Sequence, residues 1–74
     1  MIDKKGKEVR NLFKITLEAA RVNAGYTQRQ AANALNKGVS TIVNWEKGKT
    51  MPTQPDIEAL CTLYKMPYDY IRFS

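Results

Sequence analysis

The sequence predicts an all-α fold: a compact bundle of four to five short helices containing a helix-turn-helix, with a possible short β pairing of the chain ends. Three observations predict it. Apolar residues recur at helical spacing in four stretches. Thr16, Thr27 and Asp56 can cap three of these stretches, and Gly25, Asn36-Lys37-Gly38 and Gly48 interrupt the pattern between them. With 74 residues, the chain suits one domain with one modest core. The expected division is a polar arm at 1–11 followed by the domain at 12–74.

The elements follow in order. Thr16 caps a first helix whose apolar face runs Leu17, Ala20, Ala24 with Arg21 on the same side, and Gly25 stops it. Thr27 and Gln30 form a capping-box pattern that opens a second helix with Ala31, Ala32 and Leu35 inward. Two adjacent alanines allow close approach of a neighbouring helix. Asn36-Lys37-Gly38 is the turn, because Asn and Gly tolerate left-handed backbone. The third helix runs from about Val39 to Lys47 and ends at Gly48. With Ile42 inward, Val39, Trp45 and Glu46 flank the buried side, and Ser40, Asn44, Lys47 and at the edge Val43 point outward. A loop with two prolines spans 49–55, and Asp56 then caps a fourth helix with Ile57, Leu60, Cys61 and Tyr64 on its apolar face. Pro67 starts a last short segment at 68–71. Leu12-Phe13-Lys14-Ile15 and Ile71-Arg72-Phe73-Ser74 are β-compatible and are read as an antiparallel pair, with frayed or helical ends as the alternative.

Charge and composition narrow the function. The net charge is +5. Residues 1–26 carry six Lys/Arg against three acids, and 27–53 carry four against Glu46 alone. Residues 54–74 carry two against three, so the tail is slightly acidic. A basic front with a neutral back suits a polyanion on one side, although a solvated surface explains charge alone equally well. A single cysteine and no histidine leave no disulfide framework and no usual metal site, and suit a reducing compartment. Cys61 reads as a small core residue. No apolar run approaches the roughly 20 residues of a membrane span, and the start lacks a signal-peptide core. The carboxylates are scattered, and a Ser–His or Cys–His arrangement is impossible, so no enzyme is expected. Gly48-Lys49-Thr50 looks like the end of a phosphate loop, but that pattern needs Gly where Val43 stands.

Thr27-Gln28, Ser40-Thr41-Ile42, Trp45-Glu46 and Gly48-Lys49 stand in order without gaps. In these motifs the chain resembles the Cro/repressor-type (Xre-like) helix-turn-helix proteins of phages and bacteria. The resemblance extends back through Ala20–Gly25 and forward through Pro55–Glu58 to Tyr68–Ile71, about four fifths of the chain. It implies a lambda-repressor-like bundle of five helices whose third helix enters the major groove of DNA, often as a dimer. It also implies an ion pair, here Arg21 with Glu46, with Arg21 also placed to meet a phosphate. Three features depart from the family pattern. Asn36 stands for a usual Gly in the turn, followed by Lys37 and Gly38 in place of an apolar residue and a Ser or Thr cap. The loop before Asp56 is longer, and Lys65 replaces a frequent Gly.

The resemblance makes Ser40 and Asn44 the base-reading candidates, with Val43 and Val39 beside them. Asn pairs with the N6 and N7 of adenine, and Ser bonds either way at a base edge. Val43 either meets a thymine methyl or packs on a neighbouring loop. Thr27, Gln28, Lys47, Lys49 and Arg21 are the phosphate candidates. Trp45 reads as a core or dimer residue rather than a stacking platform. The expectation is a cytoplasmic, prophage-type transcriptional regulator that represses by occupying a double-stranded DNA operator. A weak or DNA-induced homodimer would place half-sites about 34 Å apart. No cofactor, small-molecule ligand or membrane partner is expected. An antitoxin-like or adaptor module that binds protein through the same fold is the alternative.

Overall fold

A computed structural model describes residues 14–73. The arm at 1–11, Leu12, Phe13 and Ser74 lie outside the described residues. The element order is β1 (Ile15–Thr16), α1 (Leu17–Asn23), α2 (Gln28–Leu35), α3 (Val39–Lys47), α4 (Gln54–Tyr64), a 3-10 turn (Tyr68–Tyr70) and β2 (Ile71–Arg72). The described residues thus form four α-helices, and the 3-10 turn stands where the resemblance implied a fifth helix.

Helix starts follow from side chains that satisfy free N–H groups. Thr16 Oγ1 accepts from Ala19 N at 3.0 Å. Thr27 Oγ1 accepts from Gln30 N at 3.0 Å, and Gln30 Oε1 accepts from Thr27 N at 2.9 Å, which completes the capping box. Helix α3 opens on Gly38 with no side-chain cap, as the departure in the turn implied. Helix α4 corrects the sequence reading. Thr53 rather than Asp56 is its cap, and the helix begins at Gln54. Pro55 therefore sits in the first turn, where no N–H is needed, rather than in the loop.

All four helices end alike. A 6→1 bond closes each end, from Tyr26 N to Arg21 O (3.2 Å), Lys37 N to Ala32 O (2.8 Å), Lys49 N to Asn44 O (2.9 Å) and Met66 N to Cys61 O (3.0 Å). The residue before each donor is left-handed: Gly25, Asn36, Gly48 and Lys65, at φ 88°, 59°, 78° and 55°. Gly38, read as left-handed with Asn36, is extended instead at φ −78°.

The core gathers Leu17, Ala20, Ala31, Ala32, Ile42, Trp45, Leu60, Tyr64 and Ile71. Ala31 and Ala32 are fully covered, and without larger side chains there α2 and α3 pack most extensively against each other. Each fully buried Ile or Leu contributes roughly 1.5–3 kcal/mol. Trp45 belongs to this core, while Cys61 lies half-buried at its margin.

The chain ends do pair, but in parallel, with Ile15 opposite Ile71 and Thr16 opposite Arg72. The antiparallel expectation is overturned by connectivity. The helices between the strands act as one long crossover, and the chain returns to the edge of α1 running the same way. Ile71, 2% exposed, seals the core from that side.

Candidate nucleic-acid interface

Burial of Ile42 and Trp45 fixes the rotation of α3. Ser40, Val43, Asn44 and Lys47 then form a stripe at i, i+3, i+4 and i+7 on the opposite side. Ser40 and Lys47 are exposed, and Val43 and Asn44 are half-exposed. The stripe carries a hydroxyl, an amide and an aliphatic edge, and ends on a cation. Val39 does not share it fully. It packs against the core, so only part of its side chain faces out.

A buried polar network holds this helix in place. Arg21 Nε donates to Glu46 Oε2 at 2.6 Å, and Arg21 Nη2 donates to Oε1 at 3.4 Å. Gln28 Nε2 donates to the same Oε1 at 3.0 Å. Arg21 Nη1 donates to the carbonyl of Tyr26 at 2.8 Å. The Arg21 and Glu46 side chains are only 10% and 4% exposed. The hydrogen bond to Glu46 raises the Arg21 pKa above its ordinary value, although burial opposes it. The sequence-read ion pair is therefore present and joins α1 to α3, with Gln28 tying in α2. The same geometry bears on the reading of Arg21 as a phosphate ligand. Its side chain is 10% exposed, and three of its five N–H groups are bonded within the protein.

The other phosphate candidates sit at two places. At the start of α2, the capping box leaves the N–H groups of Gln28 and Arg29 without an intrahelical acceptor. Thr27 is exposed there, and its hydroxyl proton remains free to donate outward. Gln28 is half-buried and has spent one amide N–H on Glu46. Arg29 was not singled out from the sequence. It is exposed in a first turn that carries no acid, where the helix dipole disfavours a cation and favours an anion nearby. At the far end of α3, Lys47 and Lys49 are both exposed. Lys47 also complements the C-terminal dipole of α3.

Two features escaped sequence reasoning because nothing in local spacing signals them. Lys37 Nζ lies 3.3 Å from Asp56 Oδ1 and clips the turn to the first turn of α4. Burial opposes ionisation of Asp56, yet Thr53 and Lys37 together hold its carboxyl below the ordinary value. Tyr64 packs against Tyr26, with ring centroids 6.1 Å apart. Its buried hydroxyl has no hydrogen-bond partner among the described residues. Burial, with the nearby Glu46 charge, pushes its pKa up to about 12.

Among the described residues, no His, Cys, Asp and Glu cluster could hold a metal, and no helix is long and apolar enough to cross a membrane. A family described as Helix-turn-helix matches residues 17–71. The chain belongs to this helix-turn-helix family. The match runs from the first residue of α1 to the first residue of β2, so it contains both the outward stripe and the network beneath it. The chain is similar to the HTH-type transcriptional regulator ImmR of Bacillus subtilis (strain 168), at 38% identity over 55 residues. That alignment covers 74% of this chain and 43% of ImmR, so the chain spans less than half the length of that relative. No solved structure matches significantly. These matches bear out the Cro/repressor-type resemblance read from Thr27 to Gly48 in this helix-turn-helix protein.

Proposed function

We propose that this helix-turn-helix protein is a sequence-specific binder of double-stranded DNA that represses transcription by occupying an operator. Helix α3 lies in the major groove, which is about 12 Å wide and admits one helix. Ser40 and Asn44 read base edges, with Val43 beside a thymine methyl and Val39 at the margin. Thr27, Gln28, Lys47 and Lys49 hold phosphates. Arg21 acts through Glu46: it fixes the angle between α1 and α3 and does not touch DNA. A homodimer assembled weakly or on DNA engages two half-sites. The observation that carries this reading is the α3 stripe itself, polar and partly exposed above a helix pinned by Glu46 and three donors.

Binding to DNA across a salt series tests it. Reversing Lys47 and Lys49 to Glu should weaken binding to all sequences. The salt dependence should also become shallower, by about 0.9 for each phosphate the protein no longer neutralises. Unchanged binding would overturn the reading and favour a protein-binding module built on the same fold.

A further inference from the structure

The slightly acidic tail of the sequence does not stay at the back of the molecule. Parallel pairing sets Arg72 beside Thr16, the cap of α1. A cleft of about 110 Å³ opens there, lined among others by Trp45, Glu46, Lys47, Arg72 and Phe73, and the Glu46 carboxylate in it is already held by Arg21 and Gln28. One wall is thus the end of α3, and the other is the C-terminal strand. Ile71 turns into the core, so its neighbour Arg72 turns out, and Arg72 is exposed. Among the described residues, neither Lys47 nor Arg72 has an acid within ion-pair distance, whereas Arg21 and Lys37 both do. Lys47 and Arg72 thus flank one cleft, where their positive fields add and favour an anion. The cleft is well below the roughly 300 Å³ of small-molecule pockets, so it suits one small anionic group at the edge of a larger polyanion.

We infer that Arg72 is a further DNA-phosphate ligand, which with Lys47 grips the backbone beyond the end of α3. This rests on the proposed DNA-binding role. It makes the strand pair a positioning device as well as a seal on the core. Arg is suited to the task because its guanidinium forks onto two phosphate oxygens. Before folding, nothing relates Arg72 to Lys47, because 25 positions separate them in the chain.

The test uses the full chain and a mixed-sequence duplex of about three helical turns, with the slope of log K against log salt as the readout. Arg72→Gln should reduce the slope by about 0.9, the share of one phosphate. Arg72→Lys, which keeps the charge, should hold most of the slope. Lys65→Gln removes the same charge outside the cleft and should leave the slope unchanged. Thermal melts of each variant confirm that the exposed substitutions leave the fold intact. An unchanged slope for Arg72→Gln, or an equal fall for Lys65→Gln, overturns the inference. If Lys47→Gln lowers the slope while Arg72→Gln does not, only the role of Arg72 is lost. If neither substitution moves it, the proposed function falls too.

Discussion

Glu46 is the residue on which the helix-turn-helix geometry depends. Its two carboxylate oxygens receive Arg21 from α1 and Gln28 from α2, while its backbone belongs to α3. Removing it leaves the buried Arg21 guanidinium with the Tyr26 carbonyl and the exposed Glu18 carboxylate, 4.0 Å away, as its remaining partners. Glu46→Ala should therefore cost about 3 kcal/mol in urea unfolding, because an uncompensated charge stays in a poorly solvated place. That is a large part of the roughly 5–15 kcal/mol that stabilises a typical domain. A loss under about 1 kcal/mol would mean the pair is solvated like a surface salt bridge. The family resemblance implied the Arg21–Glu46 pair, and helical periodicity placed both on the inner sides of their helices. Periodicity could not foresee how deeply the Arg21 side chain is buried, because burial depends on three helices meeting. Nor could it show that Gln28 turns one amide N–H inward.

Among the helices, starts and stops were legible wherever one residue type has one physical reason to stand there. Thr16 and the Thr27–Gln30 box were readable because a hydroxyl or amide three residues away satisfies a named N–H. Gly25, Asn36 and Gly48 were readable because they are the residues that tolerate left-handed backbone. The start of α4 was misplaced because Pro55 signals a break in both a loop and a first helical turn. Direction of the strand pair was misjudged for a different reason. Two β-compatible ends carry no information about whether the intervening helices return the chain parallel or antiparallel. Lys65 shows the cost of departing from the preferred residue. It sits at φ 55° with a side chain whose Cβ crowds the backbone there. Left-handed backbone costs a non-glycine residue about 1–2 kcal/mol, partly offset by the chain entropy that glycine would lose. Lys65→Gly should therefore raise stability by about 0.5–1 kcal/mol, read as an upward shift of the melting temperature. A fall would show that packing of the Lys65 side chain outweighs the strain.

The molecule as a whole brings α1, α3 and the end of α4 together at Tyr64, and this sets a limit on its alkaline stability. The Tyr64 hydroxyl titrates at about 12 in the folded chain, against about 10 when unfolded. Between those values the unfolded chain has released a proton that the folded chain retains. Stability is therefore intact below about pH 10 and falls as pH rises toward 12, by up to about 1.4 kcal/mol per pH unit for this group. Tyr64→Phe should flatten that limb and cost little at neutral pH, because the hydroxyl it deletes has no partner among the described residues. A fall equally steep in the variant would place the cause elsewhere. The candidate site was legible at the level of face, with Ser40, Asn44 and Lys47 outward as periodicity required. The meeting of Arg72 and Lys47 at one cleft was not, because it is a property of tertiary connectivity. Selection of binding sites from random duplex DNA, run with the unaltered chain and with Asn44→Ala, tests the central claim most directly. The expected result is a two-fold site with half-sites about 34 Å apart and a preference that relaxes at one position per half-site in Asn44→Ala. No enriched sequence, or an identical one for both chains, would contradict it.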